Sequence, residues 1–300
     1  MTIPVLWPWQ GSKARLAPFI VSRLPPHQRY VEPFAGTAAV LLAKSRAPIE
    51  VINDVNQDLV AVYRCLQDPV LTRRLYRRVQ WTPVSRAEWI RAQEPLASPD
   101  VVEQAARFLV RMTQSFNGLP SRKTWGGGLG PIVPRIDRTL HRLAPVADRL
   151  RGVALECAPW DAVAARFESP ETLFFVDPPY RTDHEDAETA YDANAPWTAA
   201  DWDALLTWAL GSPAMIVLTH YPHPDLHRLA DAGWHHETLS VWVNAKARTQ
   251  RLGIAQGHLD AERDRRDEQI WWSPRAWNRV VHQLTLWDFV SDDPHAEDLG

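Results

Sequence analysis

The stretch Thr172 to Tyr180, T-L-F-F-V-D-P-P-Y, constrains the fold more than any other part of the chain. Leu173 to Val176 are apolar without interruption, as in a strand buried on both faces of a parallel sheet, and the run stops at an acid. Pro178 and Pro179 lack the N–H that a ladder needs and fix φ. Asp177, the prolyl carbonyls and Tyr180 are therefore predicted to form one rigid turn at the carboxyl edge of the sheet, where open α/β sheets bind ligands. A carboxylate and a carbonyl only accept hydrogen bonds, so together they suit a group with two N–H bonds, such as a planar exocyclic amine. Tyr180 would offer its face to the ring carrying that amine. The same residues also fit a plain strand ended by a Pro-rich turn with a capping Asp, so the rest of the chain decides.

The flanking segments alternate strand and helix. Tyr30 to Leu42, Y-V-E-P-F-A-G-T-A-A-V-L-L, reads as a strand end, a glycine turn and a helix start, where a nucleoside cofactor lies against the first strand of a doubly wound sheet. Gly36 is followed by Thr37 and Ala38, so the second glycine of a dinucleotide fingerprint is missing, which argues against a dinucleotide dehydrogenase. Glu50 to Asp54 reads as a second strand, with Asp54 placed to accept from both ribose hydroxyls of an adenosine-type cofactor. Trp7 to Lys13, W-P-W-Q-G-S-K, is a loop rather than a phosphate loop, because the preceding strand and the glycine spacing are both absent. Lys13 opens an amphipathic stretch with Leu16, Phe19, Ile20 and Leu24 on one side. Further strands are predicted at Val153 to Glu156, Ala214 to Thr219, Trp234 to Val243 and Gln269 to Trp272, with a helix over Asp201 to Leu210.

Residues 70–150 break this alternation and read as mostly helical, Val101 to Met112 most clearly. The net charge of the chain is −3, yet Leu71 to Arg151 holds 15 Lys and Arg against 6 acids. A basic middle in an acidic chain points to a polyanion partner, although spaced arginines on helices also describe a solvated face. Within it, the glycines of Ser115 to Gly130 beside Arg122, Lys123 and Trp125 predict a bendable loop or hairpin able to follow a nucleic-acid backbone and groove; an ordinary surface loop is the other reading. Arg181 to Pro196, with Tyr191 in it, is placed to be a lid, and the acidic 291–300 is expected to be a disordered tail.

No apolar run reaches the about 18 residues of a membrane span, and Met1 to Lys13 has neither the basic start nor the apolar core of a signal peptide. A soluble cytoplasmic protein without a membrane role is expected. Cys65 and Cys157 form no C-x-x-C pair and imply neither a metal site nor a disulfide framework.

Four features in order resemble the Dam-like, adenine-specific DNA methyltransferases that use S-adenosyl-L-methionine: aromatic-x-G-x-K at Trp9 to Lys13, P-F-x-G at Pro33 to Gly36, N-D-x-N at Asn53 to Asn56, and D-P-P-Y at Asp177 to Tyr180. Phe116 to Gly118, F-N-G, is similar to the segment leading into the family's DNA-contacting hairpin. The resemblance implies a Rossmann-like methyltransferase fold (an α/β class) in which a discontinuous catalytic domain, 1–69 and 151–290, holds an inserted target-recognition domain at 70–150. It implies that Trp9, Lys13, Asp54 and Asp177 touch the cofactor, with Phe34 and Gly36 shaping its pocket. Asp177, Pro178, Pro179 and Tyr180 would form the catalytic turn around a flipped adenine, with double-stranded DNA held by Asn117, Arg122, Lys123 and Trp125. The expected activity is methyl transfer to the N6 amino group of adenine at a specific site, with a cognate restriction endonuclease or a defence-system partner as the candidate companion, and no metal is called for.

Three departures from the family pattern stand out. Ser12 and Ala38 replace usual glycines and are expected to narrow the cofactor pocket, and P-S-R-K-T-W-G-G-G after Phe116 to Gly118 spells no readable recognition code. A cytosine or RNA amino-methyltransferase, and a DNA-binding protein that has lost turnover, are the competing readings.

Overall fold

A computed structural model describes residues 5–7, 9, 11–96, 99–116, 124–127, 132–180, 197–242 and 265–291. Among the described residues seven strands form one sheet: β1 (Arg29–Glu32), β2 (Ile49–Asn53), β3 (Ala154–Glu156), β4 (Thr172–Val176), β5 (Met215–His220), β6 (His235–Trp242) and β7 (Arg265–Trp272). Their order is β3-β2-β1-β4-β5-β7-β6. The pairs from β3 through β5 are parallel, while β7 runs antiparallel to both β5 and β6. The chain turns outward in opposite directions from β1 and β4, so a crevice opens between their carboxyl ends.

Helices cover both faces: α1 (Ala17–Val21), α2 (Ala39–Ala43), α3 (Gln57–Gln67), α4 (Pro69–Gln80), α5 (Arg86–Arg91), α6 (Val101–Gln114), α7 (Val133–Leu150), α8 (Trp160–Phe167), α9 (Ala199–Gly211), α10 (His227–Asp231) and α11 (Pro274–Ser291). Every residue of β4 is buried, as the T-L-F-F-V run demands. The period of two divides it: Leu173 and Phe175 join the core beneath α3, α6 and α7, whereas Phe174 and Val176 join the core beneath α9 and α10. The helices of residues 70–150 contribute Leu75, Val79, Leu109 and Leu143 to the same apolar core as Tyr30 and Ile52 of the sheet.

Local chemistry sets the boundaries. Asn56 caps α3 by accepting from the N–H groups of Asp58 and Leu59. Asp68 caps α4 in the same way, with Pro69 at its first position, so two helices replace one at this point. Thr198 and Asp201 form a reciprocal capping box at the start of α9.

The strands expected at Tyr30, Glu50, Val153, Leu173, Ala214 and Trp234 are all present. The difference is β7, which begins at Arg265 rather than Gln269, because Arg265 to Glu268 pair with β6 from Trp242 to Leu239. Arg266 and Asp267 are exposed and Glu268 is a buried charge, so this half of the strand carries no apolar signature. Among the described residues no helix is long and apolar enough to cross a membrane.

Candidate active site

The turn after β1 is shaped by backbone hydrogen bonds to side chains from β2 and α3. Gly36 adopts a positive φ of +48°, which a residue without a Cβ takes at little cost. A Cβ there would lie 3.4 Å from the indole nitrogen of Trp9, so Trp9 packs over the bare turn. The Gly36 N–H donates to Asp54 Oδ2 at 2.9 Å, the Asn56 N–H donates to Asp54 Oδ1 at 3.0 Å, and the Tyr63 hydroxyl donates to the Gly36 carbonyl at 2.7 Å. Asn53 ties three segments together, donating to the carbonyls of Pro33 and Ala158 and accepting from the Ala158 N–H.

The two glycine replacements act differently. Ser12 lines the cavity and shares a 2.9 Å hydrogen bond with the Thr37 hydroxyl. Ala38 does not line the cavity, which corrects the expectation that it narrows the pocket. It is fully buried in the left-handed region at φ 49°, where a Cβ is disfavoured. Its effect is on the backbone.

Asp177 stands at the end of β4 in a small ionic network. Lys13, in the short 3-10 turn Lys13–Arg15, is 4% exposed. Its Nζ lies 2.6 Å from Asp177 Oδ1 and 3.1 Å from Glu268 Oε1, and it donates to the Gly11 carbonyl at 2.8 Å. The Thr219 hydroxyl, from β5, donates to Asp177 Oδ1 at 2.8 Å, and the Tyr180 hydroxyl donates to Glu268 Oε1 at 2.6 Å. Lys13 Nζ also sits 4.7 Å from the centroid of the Tyr180 ring.

Burial alone would lower the Lys13 pKa, but the carboxylates of Asp177 and Glu268 outweigh it and hold the ammonium above its ordinary value. Burial raises the Asp177 pKa, with Glu268 adding to the rise and Lys13 opposing it. Burial pushes the Tyr180 hydroxyl well above its usual value and His220 down to about 4. His220 is therefore neutral at pH 7, and its ring stacks on Trp202 with centroids 4.4 Å apart.

Between Asp54 and Asp177 lies a cavity of about 260 Å³. Trp9, Lys13, Phe34, Gly36, Asp54, Asp177, Pro178 and Pro179 all line it, so one space gathers motifs scattered over the sequence. Phe34, Trp160 and Trp197 form an aromatic wall: Phe34 stacks with Trp160 at 6.3 Å and meets Trp197 edge-on at 5.4 Å. The buried Nε1 of Trp197 has no hydrogen-bond partner among the described residues. Such a wall beside a carboxylate suits a planar heterocycle carrying hydroxyls or amines, and the Trp9 indole over Gly36 leaves a cradle that any larger residue at 36 would crowd.

Trp125 is not part of this cavity. Its backbone pairs with Ser115, with the Phe116 N–H donating to the Thr124 carbonyl and the Gly126 N–H to the Gln114 carbonyl. These bonds make an antiparallel stem at the end of α6. Its indole lies against Gly127, where a Cβ would fall 2.0 Å from the ring, and beneath the Arg86 guanidinium at 5.1 Å. Asn117, Arg122 and Lys123, the 181–196 segment with Tyr191, and residues 292–300 lie outside the described residues. Much of the positive charge of the helical segment is engaged internally: Arg78 and Arg107 pair with Glu103, Arg111 with Asp58, and Arg149 makes a buried bidentate pair with Glu50.

Sequence reasoning missed Glu268, Thr219, Trp160 and Trp197. Thr219 closes the predicted A-M-I-V-L-T strand and was legible as a polar residue at a carboxyl edge. The other three had no local signal. Among the described residues no group of His, Cys, Asp and Glu is arranged to hold a metal ion.

Comparison with known proteins bears on the same residues. Positions 9–203 match the family model of the D12 class N6 adenine-specific DNA methyltransferases. The chain is similar to the retron Ec67 DNA adenine methylase of Escherichia coli, 26% identical over 183 residues, covering 57% of this chain and 62% of that protein. It is also similar to the type II methyltransferase M.MjaIII of Methanocaldococcus jannaschii, 25% identical over 219 residues, covering 62% of this chain and 73% of that protein. The chain thus spans somewhat under two thirds of the retron methylase it matches.

Proposed function

Because this chain belongs to the D12 class N6 adenine-specific DNA methyltransferase family, we propose that it transfers a methyl group from S-adenosyl-L-methionine to the N6 amino group of adenine in double-stranded DNA. The observation that carries the reading is Asp177, held at the end of β4 by Lys13 and Thr219 on the rim of the cavity that Asp54 closes from β2.

Trp9, Phe34, Gly36 and Asp54 would hold the cofactor, Asp54 through the ribose hydroxyls and the aromatic wall through the adenine ring. The Asp54 oxygens accept the backbone N–H groups of Gly36 and Asn56, which fixes the carboxylate at the edge of the cavity. When bound, the cofactor supplies an electrophilic methyl on a sulfonium sulfur. The target adenine is turned out of the duplex, at a cost of a few kcal/mol that stacking on Tyr180 and polar contacts offset. Asp177 and the Pro178 carbonyl accept the two N–H bonds of its amine and keep the nitrogen lone pair out of ring conjugation. Pro179 fixes the turn that aims them. The amine nitrogen would displace the sulfur from the methyl carbon, leaving a neutral thioether, and Asp177 would compensate the positive charge gained by the nitrogen and accept the proton it sheds. Orientation and fixed charge thus carry the catalysis, with no covalent enzyme intermediate.

Residues 70–150 are proposed as the inserted target-recognition region. Its support is the antiparallel stem between Ser115 and Trp125; Asn117, Arg122 and Lys123, which the sequence places between its two arms, are proposed for phosphate and groove contacts. Trp125 is proposed to brace the stem for DNA contact. The cytoplasm is the proposed setting, and a cognate restriction endonuclease or a defence-system partner is proposed beside it. Co-expression with a neighbouring endonuclease, scored by survival of host DNA, tests that pairing.

Methylation-sensitive sequencing of DNA from cells expressing the protein or its Asp177→Ala variant tests the activity. Methyladenine at a discrete motif, lost in the variant, is the expected result; methylcytosine in its place would overturn the choice of base.

A further inference from the structure

Glu268 enters the site from the one strand that breaks the parallel order. β7 lies between β5 and β6, and residue 268 stands one position beyond its last pair with β5, Gln269 with His220. Its side chain is 10% exposed, and it lies outside the 9–203 family match. A single oxygen, Oε1, accepts from the Tyr180 hydroxyl and contacts Lys13 Nζ, which in turn contacts Asp177. One buried ammonium therefore serves a buried carboxylate, Glu268, and a partly exposed one, Asp177. With both acids ionised the trio carries a net charge of −1, whereas Lys13 and Asp177 alone would form a closed neutral pair. A carboxylate neutralised by its own lysine is a weaker acceptor than one that shares the lysine with a second acid.

We propose that Glu268 is a positioning residue for methyl transfer, drawing Lys13 partly away from Asp177 and fixing the Tyr180 ring, so that Asp177 remains a strong acceptor for the target amine. The inference rests on the amino-methyltransferase reading above. The groups that face Asp177 come from every neighbouring element: Lys13 from the turn before α1, Glu32 from β1, Thr219 from β5, Glu268 from β7, and Tyr180 with His220 behind it. Of these, Lys13 lowers the Asp177 pKa and Glu268 raises it. Removing the Glu268 charge therefore moves Asp177 towards stronger acidity and weaker basicity.

Glu268→Gln keeps an oxygen for Tyr180 and Lys13 while deleting the charge, and Glu268→Asp keeps the charge. With labelled methyl donor and duplex DNA, Glu268→Gln is expected to lower kcat by about tenfold or more, with KM values within about threefold, and to move the acidic limb of the kcat profile to lower pH; Glu268→Asp should recover part of kcat. Carboxyl ¹³C NMR of aspartate-labelled protein, assigned with Asp177→Asn, should show Asp177 titrating at lower pH in Glu268→Gln. An unchanged kcat and acidic limb would overturn the role, as would lost activity with an unmoved Asp177 titration. If the unsubstituted protein methylates no adenine, the functional reading fails separately, and the NMR titration, which needs no turnover, still decides whether Glu268 sets the state of Asp177.

Discussion

The Nζ of Lys13 lies 2.6 Å from Oδ1 of Asp177, although 164 residues separate them in the chain. The pair joins the first turn of the described chain to the end of the central strand. Asp177→Asn keeps an acceptor for Thr219 and removes the charge opposing Lys13. It should reduce methyl transfer by roughly 10³-fold, about 4 kcal/mol of transition-state stabilisation, with an unchanged circular dichroism spectrum. Activity within a few-fold of the unsubstituted protein would sink the catalytic assignment.

Asp54 has a double role, holding the Gly36 turn and facing the cavity. Asp54→Ala should weaken cofactor binding by about 1–3 kcal/mol, since a ribose contact and the turn are lost together. DNA binding should change little. Calorimetric titrations with each ligand separate the two, and the reverse order of effects would contradict the ribose role.

Ala38 occupies the left-handed region while buried at the start of α2. Ala38→Gly relieves roughly 1–2 kcal/mol of backbone strain and gives back part of it, roughly 0.4–1 kcal/mol, through the freer unfolded chain. A net gain of about 0.5–1 kcal/mol should raise Tm by a degree or two in scanning calorimetry. A lower Tm would show that the Ala38 methyl packs more favourably than its φ costs.

Glu32 is 1% exposed, accepts from the Tyr30 hydroxyl and the Leu41 N–H, and has its pKa raised to about 7 by burial. Because the folded state holds this proton more tightly than the unfolded chain, stability is full below the unfolded value near 4.5 and declines as pH rises through about 7. The loss amounts to about 3 kcal/mol over that window. Urea unfolding of the protein and of Glu32→Gln at pH 5 and pH 8 should show the difference between them shrinking or reversing by that order. A pH-independent difference would mean Glu32 is ionised throughout.

Arg122 and Lys123 lie in sequence between the two arms of the Ser115–Trp125 stem. Replacing both with Gln should weaken DNA binding and reduce the slope of log K against log salt by about 2, near 0.9 per phosphate contact. An unaltered slope would return the segment to an ordinary surface loop.

The fold was largely legible because its signals are local. Leu173 to Val176 read as a doubly covered strand, which the structure shows them to be, and Pro178 and Pro179 cannot continue it. Gly36 and Asp54 followed from the strand-turn-helix order around them, and the structure brings both to the cavity with Asp177. The half of β7 from Arg265 to Glu268 was not legible, since charged residues that pair along an antiparallel edge resemble a loop in sequence. Nor did the charge count of residues 70–150 show how many arginines are engaged within the protein, as Arg78, Arg107, Arg111 and Arg149 are.

The sequence by itself therefore determined most of the sheet, the D-P-P-Y turn and the acids at its edge, because periodicity, proline and glycine act within a few residues of where they stand. Only the tertiary structure decided which groups meet there. Glu268 reaches Tyr180 and Lys13 through an antiparallel strand inserted beside β5, and Trp160 and Trp197 converge on Phe34 from different segments. Such contacts depend on strand order and on burying charge with its partners, and neither leaves a trace in local sequence pattern.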